Sequence, residues 1–171
     1  MAFKTICVDH VGIACAGTLE EAAKIYTEVL GLKATGTEEV KEQGVATVFV
    51  PCGETLIELL VDITENNDGP IGKYIAKNGP GIQHMALRVD DIKAAIADLT
   101  EAGVRMIDKA PRNGAGQMKI AFVHPKSAGL LLELCQLLGT LAHHLIQKLD
   151  GAAVRVPAVH ADGAGQEGGF V

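Results

Sequence analysis

The stretch Gly81–Val89, GIQHMALRV, followed by DDIKAAIADLTEAG at 90–103, decides how this chain is built. Apolar residues alternate around His84, as in a strand with a buried face. They then recur at helical spacing up to a closing glycine. The same order occurs earlier. VDHVGIA at 8–14 holds His10 in an apolar strand, and LEEAAKIYTEVLG at 19–31 is a helix-like run closed by Gly31. Downstream, Glu58 in LIELLV lies 48 residues after His10, and Glu133 in LLLELC lies 49 residues after His84. A unit that opens on a strand histidine and closes on a strand glutamate is present twice. An internal duplication of this kind governs every later assignment.

Working outward, Thr18-Leu-Glu-Glu21 has the form of a capping box. The helix behind it should bury Ala22, Ile25, Tyr26, Val29 and Leu30. Strands are expected at 32–40, 44–51 and 54–63, the last two joined by a tight turn at Cys52-Gly53-Glu54. The first unit is therefore β-α-β-β-β. TENNDGP at 64–70 is a polar link, and 71–77 has the length of a short helix. The second unit repeats the order: a strand at 81–89, a helix at 91–102 capped by Asp90 or Asp91, and a short strand at 104–107. The glycine-bearing loop PRNGAGQ at 111–117 follows, then strands at 119–123 and 129–135 joined by the HPKSAG turn. Leu137, Leu138, Leu141, Leu145 and Leu149 have helical spacing, so an additional helix is expected over 137–150. The Gly/Ala-rich 151–171 reads as a flexible tail. The expectation is one α+β domain over 1–136, with modules at about 4–63 and 80–136. Its two tandem βαβββ modules form an open β-barrel around a cavity.

Composition narrows the function. Hydrophobic residues make up 48% of the 171 and charged residues 21%, which is a globular balance. Aromatics are 4% with no Trp, and the net charge is -6, so neither base stacking nor polyanion binding is provided for. A nucleic-acid partner is not expected. No apolar run reaches membrane-spanning length, and MAFKTICVDHVGIA lacks the apolar core of a secretory signal. Cys7, Cys15, Cys52 and Cys135 lie apart with no CxxC, and read as reduced core residues. These features together predict a cytoplasmic location.

The chemistry should lie with the repeated residues. Glu58 and Glu133 sit in strands that are apolar on both faces, so each should be buried. A buried carboxylate needs a cationic partner, yet no Lys or Arg lies within five positions of either one. A strand histidine taken singly is most often a hydrogen-bonded core residue. Two histidines and two glutamates at repeated positions are instead the donor set for a divalent metal: Co, Ni, Mn, Fe or Zn, with open positions for water or substrate. His124 reads as a turn residue, and His143, His144 and His160 as solvated side chains. Lys126 is placed to meet an anionic substrate, and Gly114 and Gly116 can offer backbone N–H groups to an anion. No GxSxG element and no nucleophilic cysteine setting is present.

VDHVGIA, YTEVLGL, EEVKEQGVATVFVPCGETLIELL, GIQHMALRVDDI and FVHPKSAGLLLELCQ together resemble the methylmalonyl-CoA epimerase family. That family lies in the vicinal oxygen chelate superfamily, with glyoxalase I and the extradiol dioxygenases. The resemblance spans about residues 5–136. It implies that His10, Glu58, His84 and Glu133 are metal ligands, with cobalt the first expectation and nickel, manganese, zinc or magnesium after it. It also implies a CoA thioester substrate, proton transfer at C2 between the (2R) and (2S) forms, and a homodimer in propionate metabolism. Glu133 is expected to be one catalytic proton carrier. Some family members carry a further glutamate on the strand after EQGV, where this chain has Thr47, so the second is either Glu58 or a water, and Glu58 is the expectation. Lys73, Lys77, Arg112 and Lys126 are candidates for the CoA nucleotide. The alternatives are a glyoxalase I-type lactoylglutathione lyase with the same quartet, and a metal-free binding protein on the same scaffold, which would not need all four residues. A ring-cleaving dioxygenase would call for two histidines and one carboxylate.

Overall fold

The computed structural model describes residues 1–137. The expected tail at 151–171, and with it His143, His144 and His160, lies outside the described residues. Eight strands form one sheet: β1 (Thr5–Ala14), β2 (Gly36–Val40), β3 (Val45–Cys52), β4 (Thr55–Asp62), β5 (Gly81–Val89), β6 (Arg112–Asn113), β7 (Met118–Val123) and β8 (Leu132–Leu137). Their order across the sheet is β2-β3-β4-β1-β5-β8-β7-β6. Reading outward from the centre, each half has the same sequence of partners. The first strand pairs parallel with the fourth, which pairs antiparallel with the third, which pairs antiparallel with the second. The two halves meet at the antiparallel β1–β5 seam. This is the tandem βαβββ architecture the repeat requires, curled into a half-barrel.

Helix packing explains which face of the sheet carries the site. α1 (Leu19–Lys24) lies with Val48, Val50 and Leu59, while α3 (Ile92–Glu101) lies with Val89, Ala121, Val123 and Leu134. Strand residues alternate between faces. Helices covering Leu59 and Leu134 therefore leave Glu58 and Glu133 on the opposite, concave face. α2 (Pro70–Asn78) closes one end of module one, where Ile71 packs on Ala14, Val45 and Leu60. No helix among the described residues is long and apolar enough to cross a membrane.

Local chemistry sets several boundaries as expected. Thr18 caps α1 in a capping box with Glu21, and Asp91 caps α3 by accepting from the N–H groups of Lys93 and Ala94. Gly53 turns β3 into β4 with φ +66°, a conformation that favours glycine.

Five expectations are corrected. The stripe assigned to the first helix does not stay buried: Ile25 is 57% exposed, Val29 76% and Leu30 61%. A π-turn over Ile25–Val29 adds a residue to the helical turn and rotates that stripe away from the sheet. The strand expected at 104–107 is reduced to a single bridge between Met106 and Val123, and the sheet edge is β6, inside the stretch read as a loop. The HPKSAG turn contains one helical turn, α4 (Pro125–Ala128), so the final strand starts later and runs through Leu137, paired with Met118. Leu137 thus belongs to β8 and not to an additional helix, the remainder of which lies outside the described residues. Cys52 is exposed at the β3–β4 turn, so it is no core residue; all four cysteines are free.

Candidate metal centre and active site

At the central seam His10 lies opposite Ala86, and His84 lies opposite Gly12. The small partner in each case makes room for an imidazole to lean across the neighbouring strand. Gly12 shows the constraint: a Cβ built there would come closer than 3.0 Å to three atoms of the His84 ring. The rings meet edge to face with centroids 5.1 Å apart, and the two Nε2 atoms are 3.0 Å apart.

The glutamates approach this pair from the flanking strands. Glu58 on β4 places Oε2 at 3.4 Å from His10 Nε2 and 3.5 Å from His84 Nε2. Glu133 on β8 splits its oxygens, Oε1 at 3.8 Å from His10 Nε2 and Oε2 at 3.7 Å from His84 Nε2. All four residues are buried, at 5–8% exposure. Residues scattered from 10 to 133 in sequence therefore converge on one point. Donor atoms of His10, Glu58 and His84 lie within 4.8 Å of one another, with Glu133 set slightly back.

Behind each histidine stands the residue that precedes it in sequence. Asp9 Oδ1 faces His10 Nδ1 at 2.9 Å, and Gln83 Oε1 faces His84 Nδ1. Asp9 is completely buried, with Arg88 Nε and Nη2 on its second oxygen. Nδ1 donation to these acceptors leaves each Nε2 free to present a lone pair to a cation beside the two carboxylates. Four lone-pair donors converging in a buried space fit a divalent cation.

The cation-free electrostatics separate the two glutamates. Burial acts to raise the Glu58 carboxyl, but the hydrogen bond from His84 and the charges of both histidines outweigh it and hold Glu58 below its ordinary range. Thr47, 1% exposed, adds a hydroxyl hydrogen bond to Glu58 Oε1 at 3.2 Å. Burial pushes Glu133 up, and the histidines do not fully counter it, because the Glu58 charge acts with burial. His10 is raised although burial opposes this, chiefly through Asp9 and then the two glutamates.

The other candidates are placed differently. Lys126 is exposed on α4, where its backbone N–H donates to His124 Nδ1 at 3.0 Å. Gly114 packs against Ile120, and the Gly116 N–H donates to Glu38 Oε2 at 2.9 Å, tying the loop to module one. Lys73 and Lys77 are exposed on α2. Arg112 is the cation nearer the cluster: its guanidinium lies 5.2 Å over the Phe122 ring, whose edge meets His84 at 5.9 Å. Asp9, Gln83 and Arg88 were missed in the sequence. Their signal was the position immediately before each repeated histidine, together with the one arginine in the His84 strand.

A duplicated βαβββ half-barrel with His/Glu pairs at its seam defines a class of protein. The family model for the Glyoxalase/Bleomycin resistance protein/Dioxygenase superfamily matches residues 9–122. The mitochondrial methylmalonyl-CoA epimerase of Homo sapiens is 37% identical over 131 residues, covering 75% of this chain and 73% of the human protein. The ethylmalonyl-CoA/methylmalonyl-CoA epimerase of Cereibacter sphaeroides is also 37% identical, over 75% of this chain and 96% of that protein. Among solved structures, a methylmalonyl-CoA epimerase in complex with methylmalonyl-CoA and NH4+ superposes with a TM-score of 0.72 at 33% identity, covering 80% of this chain and 97% of the other. The chain belongs to this superfamily and, within it, to the methylmalonyl-CoA epimerase family.

Proposed function

We propose that this protein interconverts the (2R) and (2S) forms of methylmalonyl-CoA by proton transfer at C2. The observation that carries this reading is the buried pair Glu58 and Glu133, facing one histidine pair from opposite flanks of a pseudo-two-fold seam. Epimerisation needs a proton removed from one face of a carbon and returned to the other, so two carriers on opposite sides are the minimum equipment. The two environments push the carboxyls apart, Glu58 down and Glu133 up. That difference supports a pair in which one carboxylate accepts the C2 proton while the other returns one, the roles exchanging with the direction of the reaction.

His10, Glu58 and His84 are the closest set for a divalent metal, with Glu133 completing it; cobalt is the metal proposed. Such an ion supplies a Lewis acid next to the thioester, favouring negative charge on its oxygen as the C2 proton leaves. Glu58 takes the proton from one face, the C–H electron pair passes toward the thioester, and Glu133 delivers its proton to the opposite face. The reverse reaction exchanges the two roles. Arg112, at the Phe122 edge of the site, is the candidate partner for the substrate carboxylate, and the exposed lysines Lys73, Lys77 and Lys126 for the CoA phosphates. A homodimer in a cytoplasmic setting and a role in propionate metabolism belong to the same proposal.

The test is deuterium uptake at C2 of methylmalonyl-CoA in D2O, followed by mass spectrometry with cobalt added and after chelation. Metal-dependent uptake with racemisation is the expected result. No uptake by the cobalt-loaded protein removes the epimerase reading, and turnover of the hemithioacetal of methylglyoxal and glutathione then becomes the next assay.

A further inference from the structure

The pseudo-two-fold relation between the modules makes it possible to ask what stands in the same place on each side. Glu58 is paired with Phe49 on the neighbouring strand, and Glu133 is paired with Phe122. Two residues before each phenylalanine, on the same face, stand Thr47 in module one and Ile120 in module two. Their cross-strand partners, Leu60 and Cys135, are again equivalent. Both residues are buried, Thr47 at 1% and Ile120 at 6% exposure, so neither is there to meet solvent. Only one of them carries a hydroxyl.

That hydroxyl donates to Glu58 Oε1 at 3.2 Å. With Oε1 engaged, Oε2 is the oxygen that faces both histidines, at 3.4 and 3.5 Å. Glu133 has no donor at the matching position, because Ile120 is apolar. Its oxygens divide between the histidines, one at 3.8 Å and the other at 3.7 Å. Chemically identical side chains in equivalent strands thus adopt two different attitudes toward the same pair of nitrogens, and the buried hydroxyl stands beside Glu58 and not beside Glu133.

We propose that Thr47 is a positioning residue: it fixes Glu58 as a one-oxygen ligand of the metal, while Ile120 leaves Glu133 unpinned. The proposal rests on the metal-centre reading above and concerns how that centre is held. Groups that orient ligands without touching the metal commonly change metal affinity by 10–100-fold when removed. Thr47 has the burial and the geometry for such a role, and valine matches its shape while lacking the donor.

The test is a titration of the metal-free protein with Co2+, followed by calorimetry and by the visible spectrum of the bound ion, with no substrate present. Thr47→Val should weaken cobalt binding by about tenfold or more and shift the spectrum as Glu58 gains a second free oxygen. Thr47→Ser, which keeps the hydroxyl, should stay within about threefold of wild type. Cobalt bound by Thr47→Val with wild-type affinity and spectrum overturns the Thr47 role and leaves the metal centre standing. Equal loss in the valine and serine variants also overturns it, since packing and not the donor would then be responsible. Wild-type protein that takes up no cobalt overturns the metal centre itself, and this role with it. Should the valine variant not fold, Ile120→Thr carries the test: a donor added beside Glu133 should shift the cobalt spectrum, and an unchanged spectrum counts against the proposal.

Discussion

Modules one and two share a strand order, a register and a His/Glu pair, but they surround that pair differently. In module one His10 leans on a buried carboxylate, Asp9, which is itself held by Arg88 from module two. In module two His84 leans on the neutral amide of Gln83. Module one supplies Glu58 with the Thr47 hydroxyl, whereas module two sets the apolar Ile120 at the matching place near Glu133. The helices differ as well. α3 is a regular amphipathic helix burying Ile92, Ala95 and Ile96, while α1 gives way to a π-turn that leaves Ile25 and Val29 exposed. Duplication provides two copies of a His/Glu pair on equivalent strands. Divergence of the residues around each copy is what places two identical glutamates in different surroundings, Glu58 held below its ordinary range and Glu133 pushed above it.

The contrast between the glutamates gives the largest expected effect. Glu133→Gln should lower epimerisation by roughly 10²–10⁴-fold, the usual worth of a positioned proton carrier, and weaken cobalt binding less than Glu58→Gln does, because Glu133 stands further from both histidines. Glu58→Gln should weaken cobalt binding as well as turnover. If the two variants gave the same pattern of affinity and rate, the division of roles between the modules would be lost.

Next comes the brace behind His10. Asp9→Asn leaves Arg88 without its partner in a largely buried setting, and removing one member of such a pair costs about 3–5 kcal/mol. Urea unfolding of the metal-free protein measures this. The same variant tests a pH effect. Burial acts to raise the Asp9 carboxyl, but the hydrogen bond from His10 and the charge of Arg88 hold it below its ordinary 3.8. A depressed carboxylate contributes stability that is present above the unfolded value and is lost as pH falls through the folded one. Wild type should therefore weaken on acidification below about pH 4, and Asp9→Asn should weaken less steeply over that window.

A smaller effect separates the two residues at the seam. Gly12→Ala forces the His84 ring from its place and should reduce cobalt affinity by about 10–100-fold, the range seen when ligand orientation is lost. Ala86→Gly, opposite His10, removes a methyl and should leave affinity unchanged while costing roughly 1 kcal/mol of stability. The smallest change is expected at Gln83→Leu. It removes a neutral acceptor and should cost about 1 kcal/mol in urea unfolding. A loss as large as that of Asp9→Asn would mean that the modules brace their histidines equally.

Much of the site was legible in the chain because strand and helix periods are local properties. The alternation around His10 and His84, the glycines after each helix-like run and the apolar flanks of Glu58 and Glu133 place two His/Glu pairs on strands. Their recurrence at nearly equal spacing links them. What went astray was sensitive to a single residue. The π-turn after Lys24 shifts a helical stripe without any breaker in the sequence, and the two-residue β6 is too short to show a period inside PRNGAGQ.

By itself the sequence determined that there are two βαβββ modules and which four side chains they hold in common, because both follow from local periodicity and repetition. Only the tertiary structure decided what surrounds those four. Arg88 reaches Asp9 from 79 residues away and Thr47 reaches Glu58 from the neighbouring strand. Those partners are set by strand order and register, which depend on how the whole sheet closes at the β1–β5 seam and not on any stretch that can be read alone.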